Sequence, residues 1–297
     1  MGRKIDRIMM TNLYFGALAE SDQDRRFTLR NASGMRVTIS ERGAALRSWR
    51  APDRYGRMAE VLLAGLDGLS AAGYSGTRWH GRRTAAGVEL HRVAPGGAVD
   101  LQVIYRLDDD GNLSMDCHAM AGLPTTVRLK APPYFNLNGG SADVCDHMLQ
   151  IDADYYAEAD AAGAPTGVAV VAGTAFDFRQ PAPVGARLGW PDSQMQLAGR
   201  FDHSYFVRSH VTGGQGTLRQ VARVIDPRSG RCLQVYTTEA ALQFCIGRRS
   251  GAPRCRNGLG LEAYAYPGLR GAAWPHIILH PGQEYRQTTV YRLSLQA

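Results

Sequence analysis

Thr288-Thr289-Val290-Tyr291-Arg292-Leu293-Ser294-Leu295 alternates polar with apolar side chains, which gives the segment one wet face and one dry face. A period of two marks a half-buried β-strand. The same period runs through Met35–Ser40 and Val99–Tyr105. Turn residues cluster between such segments: Asp108-Asp109-Asp110-Gly111-Asn112, Asn138-Gly139-Gly140-Ser141, Thr212-Gly213-Gly214-Gln215-Gly216 and Pro227-Arg228-Ser229-Gly230. They supply the positive-φ positions and side-chain-capped turns that join strands. Proline and glycine interrupt every stretch that would otherwise form a long amphipathic helix. The chain is therefore expected to be all-β, an antiparallel sandwich or barrel. No linker, low-complexity tract or internal repeat divides it. Residues 26–297 read as one domain behind a loosely ordered leader, residues 1–25.

Apolar residues make up 44% of the 297, enough to fill a core of that size. No run approaches the roughly 18 apolar residues needed to span a bilayer, so no membrane association is expected and a cytoplasmic location is. Arg3, Lys4 and Arg7 precede a short apolar run and an A-x-A at Ala17-Leu18-Ala19, all elements of an export signal. Thr11 and Asn12 break that run, which favours the leader reading. The formal charge is +7, and lysine occurs only at Lys4 and Lys130, so the basic residues are nearly all arginine. Arginine suits bidentate binding of phosphate or carboxylate, which leaves an acidic sugar open as ligand. The arginines are scattered among acids without a basic stripe, which argues against nucleic acid. Five cysteines occur with no CxxC and no metal-ligand spacing, so reduced thiols and no metal or organic cofactor are expected.

One carboxylate stands out. Glu262 follows Gly258-Leu259-Gly260-Leu261, an apolar stretch where burial would raise its pKa toward the range of a general base. The competing reading is a strand-end glutamate facing water. Asp202 and His203 lie among Phe201, Tyr205 and Phe206. Carboxylate, imidazole and ring faces suit a sugar, whose hydroxyls need acceptors and whose C–H groups need apolar cover; a self-satisfied turn pair is the bland alternative. Gln243, between Leu242 and Phe244, can bridge two hydroxyls or pair with backbone. No serine sits in a nucleophile elbow. A hydrolase would need a second acid, for which Asp177 is the candidate. His276 and His280 are four apart, but Pro275 and Pro281 flank them and break any helix presenting both to a metal.

Taken in order, several blocks resemble the aldose 1-epimerase (galactose mutarotase) family. Tyr134-Phe135-Asn136-Leu137 resembles its HxYFNL block, and Asp146–Asp154 its DHxLxIxAD strand. Pro165-Thr166-Gly167, Gly173–Phe178, Asp202-His203, Asp226–Arg231 and Gln243-Phe244 are similar to the PTG, GTPFDF, DH, DPxSGR and QFY blocks. Glu262 occupies the place of the catalytic glutamate, and Leu279–Tyr285 resembles the closing LxPGxxY strand. Nine blocks in order over about 170 residues form a specific pattern.

The resemblance implies an all-β fold, a large antiparallel β-sandwich of the galactose mutarotase-like type, and general acid/base opening and closure of a pyranose ring. It also marks an atypical member. The family's acid is the histidine of HxYFNL, and here that position is Pro132. Upstream, the family's GRxANRI and LHGG blocks do not both fit between Tyr74 and Leu90. His80-Gly81 is taken for the second histidine, with Arg78 or Arg82 replacing the arginine. The expected site is thus Glu262 and His80 as catalytic groups, with Asp202, Gln243, Arg78, Arg82 and Tyr134 binding substrate. His203 or a bound water is an alternative acid. The expected partner is a small-molecule carbohydrate, and the expected assembly a monomer or homodimer. Two other readings stay open: a non-catalytic carbohydrate-binding protein on the same fold, and an isomerase or cyclase for a different substrate.

Overall fold

The structure is a computed structural model that describes residues 24–63, 70–71, 77–126, 129–130, 133–208, 216–247, 258–265 and 278–296, with residues 70–71, 126 and 129–130 as backbone only. Most of the expected leader, and Pro132 and His276, lie outside the described residues.

The alternating segments form strands as their pattern dictates. The largest sheet has nine: β16 (Ala182–Pro183), β13 (Met148–Ile151), β18 (Arg219–Ile225), β19 (Arg231–Thr237), β23 (Glu284–Leu295), β9 (Asn112–Ala121), β8 (Val99–Leu107), β7 (Gly87–Val93) and β6 (His80–Thr84), in that spatial order. A six-stranded sheet runs β12 (Tyr134–Phe135), β21 (Leu259–Tyr264), β20 (Ala241–Ile246), β17 (Asp202–Val207), β14 (Ala153–Ala159), β15 (Pro165–Val170). An N-terminal sheet holds β1 (Arg26–Arg30), β2 (Arg36–Ser40), β3 (Ala45–Pro52) and β4 (Met58–Glu60). Two small pairs join β5 (Ser70–Ala71) to β11 (Leu129–Lys130) and β10 (Thr125–Thr126) to β22 (Ile278–Leu279). Every described pairing of named strands is antiparallel, as in a meander of hairpins. Two short helices, α1 (Val184–Leu188) and α2 (Ser193–Ala198), cross between β16 and β17. Asp192 caps α2 by accepting from the Gln194 and Met195 amides.

One continuous core fills the space between the sheets. Leu90, Val103 and Leu293 on the large sheet and Leu242, Phe244, Leu259 and Leu261 on the six-stranded sheet are nearly or wholly excluded from solvent. Phe176, Phe178, Phe201 and Phe244 pack edge-on or tilted at one end. At the other, Phe135 lies between Trp49 and Tyr291.

The Asp226–Arg231 block proves to be a clamp. Asp226 accepts from the Ser229 amide, and the turn delivers Arg231 inward. Its buried guanidinium donates to the carbonyls of Ala51, Pro52, Arg57 and Leu137. That ties the N-terminal sheet to the exit of β12. His147 acts on the same exit, with Nε2 accepting from the Leu137 amide at 3.0 Å.

Candidate active site

Residues paired across antiparallel strands share a face. Three registered rows therefore define one face of the six-stranded sheet, the face turned away from the core. Asp202, Cys245, Gly260 and Tyr134 form the first. Ser204, Gln243 and Glu262 form the second, and Phe206, Ala241 and Tyr264 the third. Glu262 is thus placed inside a sheet, in register with Gln243, and is only 5% exposed. The solvent-facing reading of this glutamate does not hold.

The polar groups of this face are connected. Gln243 Nε2 donates to Asp202 Oδ1 at 2.8 Å, and Gln243 Oε1 accepts from Ser204 Oγ at 2.6 Å. Ser204 spends its proton there, so the 2.6 Å contact with Tyr264 has the phenol donating to Ser204. Arg200 approaches the other Asp202 oxygen at 3.3 Å. Asp202 keeps partial exposure, so a substrate hydroxyl can reach its carboxylate. The Cys245 thiol donates to Tyr134 Oη at 3.1 Å. Burial pushes the thiol pKa up to about 12, with Asp202 and Glu262 adding to the rise, so it stays neutral. Gly260 makes room for this contact: a Cβ there would lie 2.6 Å from Cys245 Sγ and 3.4 Å from Tyr134 Cζ.

Asp202, Gln243, Glu262 and Tyr134 are therefore brought together. The other expected site residues are not. His80 pairs with His91, and that row continues through Gln102 and His118 to Arg286. Its neighbour Gly81 pairs with buried Leu90 and faces Phe27. By alternation, His80 and Arg82 lie on the outer face of the nine-stranded sheet, across the sandwich from Glu262. Arg82 is ion-paired there with Glu89 at 2.6 Å. Arg78 lies against the buried carboxylate of Glu41, 3.6 Å away, beside the N-terminal sheet. His203 is the neighbour of Asp202 but points the opposite way, into the core. Its ring lies 4.5 Å from Phe176 and 6.0 Å from Tyr156. Burial lowers its pKa to about 4, against the pull of Asp202 and Asp192. Neither histidine shares a face with Glu262. Asp177 is gripped by Arg179 through two hydrogen bonds of 2.9 and 2.8 Å.

Sequence reasoning missed Ser204, Tyr264 and Cys245. Each stands two residues from a residue it singled out, so the period of two would have found all three and excluded His203. Among the described residues no group of three or more His, Cys, Asp or Glu side chains is placed to hold a metal ion. No described helix is long and apolar enough to cross a membrane.

The fold and this face define the class: an antiparallel β-sandwich with a connected polar face and the buried carboxylate of Glu262 set into it. Comparison with known proteins makes the class specific. The family model described as aldose 1-epimerase matches residues 72–292. Galactose mutarotase of Bos taurus is 35% identical over 242 residues, 75% of this chain and 67% of that one. Aldose 1-epimerase of Escherichia coli is 31% identical over 341 aligned positions, covering 93% of this chain and 97% of the relative. That alignment is longer than the 297 residues here, so the relative has stretches without counterpart in this chain. An aldose epimerase homologue of Caenorhabditis elegans superposes with a TM-score of 0.77 at 19% identity, covering 93% of this chain and all of the other, which is a likeness of fold. The chain belongs to the aldose 1-epimerase family.

Proposed function

We propose that this protein interconverts the anomers of a reducing sugar, as an isomerase with an altered acid. The reading is carried by one observation: Glu262 sits buried in register with Gln243, beside Asp202, in a chain of this family. Glu262 takes the proton of the C1 hydroxyl, and the C1–O5 bond breaks as the aldehyde forms. Rotation about C1–C2 then presents the other carbonyl face, and reclosure returns the proton. Asp202 and Gln243 hold vicinal ring hydroxyls, and Tyr134 borders them.

The ring oxygen must be protonated as its bond breaks. Pro132 cannot do this, so the proton comes from water or from the Tyr134 hydroxyl. A positioned acid contributes about 10²–10⁴ in rate, and the account expects slow turnover that improves when Pro132 becomes histidine. The same proline favours a second reading, a sugar-binding protein that needs no acid.

Polarimetry separates the two. Freshly dissolved α-D-galactose or α-D-glucose should relax faster with the protein than in buffer. Saturable sugar binding without any acceleration would favour the binding protein.

A further inference from the structure

β12 is two residues long and pairs with β21 only at Leu259 and Gly260. Beyond Gly260, that edge of β21 has no ladder partner among the described residues. Leu261, Glu262 and Ala263 are nevertheless buried, and buried carbonyls require donors. The donors come from the other sheet. Tyr291 Oη donates to the Leu261 carbonyl at 3.1 Å, and Gln287 Nε2 donates to the Ala263 carbonyl at 2.9 Å. Both side chains stand on the inner face of β23, four residues apart, and both are buried. The two bonds cross the core and land on the carbonyls of the residues either side of Glu262.

The Gln287 amide is itself held. Tyr285 Oη donates to buried Glu239 Oε1 at 2.6 Å and lies 3.1 Å from Gln287 Oε1. The Ala263 carbonyl can only accept, so the amide turns its NH₂ to it. Tyr291 is held by its ring, which packs on Phe135 with centroids 5.4 Å apart. A chain of fixed side chains thus runs from Glu239 to the backbone beside Glu262.

We infer that Gln287 and Tyr291 are positioning residues for Glu262, holding the carbonyls of the residues on either side of it. The inference rests on Glu262 being the general base. A carboxylate displaced by a fraction of an ångström still binds sugar through Asp202 and Gln243 but transfers its proton poorly.

The test compares wild type, Gln287→Met and Tyr291→Phe by anomer-exchange kinetics, by melting temperature and by amide hydrogen exchange of the segment 259–264. Each variant should lower kcat about tenfold with KM within about twofold. Amide exchange in that segment should quicken about tenfold. A lower melting temperature with unchanged kcat and unchanged exchange in 259–264 would make the two residues ordinary core side chains and overturn the inference. Tyr291→Phe removes a single oxygen, so it stays informative where Gln287→Met does not fold. If wild type accelerates no anomer exchange, the reading of Glu262 fails, and the amide arm still decides: unchanged exchange in both variants sinks the positioning role, whereas faster exchange retains it for whatever Glu262 does.

Discussion

Glu262 is costly to bury in an apolar strand unless it is used, and its row mates are groups that handle hydroxyls. Replacing it with glutamine keeps shape and burial, so Glu262→Gln should fold with an unchanged melting temperature while anomer exchange falls by about 10²-fold or more. Gly260 carries a different kind of prediction. A methyl there collides with Cys245 Sγ at 2.6 Å, so Gly260→Ala should cost about 1–3 kcal/mol of stability and raise KM by displacing Tyr134; urea titration and initial rates check both. Pro132→His should raise kcat by at least about tenfold if a missing acid limits turnover. These residues were legible for separate reasons. Glu262 and Gln243 showed themselves as polar side chains inside apolar runs. His203 misled because a neighbour in sequence on a strand is a residue on the opposite face.

Strand register decides which of the expected residues share a face and which, like His80, do not. Asp202, Ser204, Gln243, Glu262 and Tyr134 come from four strands, and only pairing turns them into one surface. The motif order in the sequence carried that information for Asp202, Gln243 and Glu262. His80 was placed by proximity to a glycine in a stretch where this chain is shorter than the expected pattern, and β6 puts its side chain on the wrong side of the sandwich. Ser204 belongs to the hydrogen-bond relay from Tyr264 to Gln243, so Ser204→Ala should raise KM several-fold and leave kcat nearly unchanged, which initial-rate kinetics would show. Arg231 is the corresponding element-level prediction for stability. Its guanidinium satisfies four carbonyls, two on β3, one just before β4 and one just after β12. Arg231→Met strands those acceptors in the core and should destabilise the fold by about 3 kcal/mol or more, seen as a lower urea midpoint without change in the native spectrum.

Across the whole molecule, two buried histidines weaken the fold in mild acid. Burial lowers the His147 and His203 pKa values from 6.5 to about 4. Between those values the unfolded chain binds more protons than the folded one at these two sites, so their contribution to stability falls as pH drops from about 6.5 to about 4 and levels off below. Each histidine accounts for up to about 3 kcal/mol of that loss. His203→Phe, seated among aromatic rings, should flatten the dependence of the urea midpoint on pH; an unchanged slope would remove His203 from the account. The fold class was legible, because periods of two separated by turn clusters admit an antiparallel sandwich or barrel, and the order of the motif blocks selected the sandwich. The division into four-, six- and nine-stranded sheets was not, since it depends on which hairpins share an edge. The measurement closest to the central claim is magnetisation-exchange NMR on equilibrated galactose and glucose, with wild type and Glu262→Gln side by side. The account predicts exchange between anomers that wild type accelerates and the variant does not. Equal acceleration by both proteins, or none by wild type at high concentration, would contradict it.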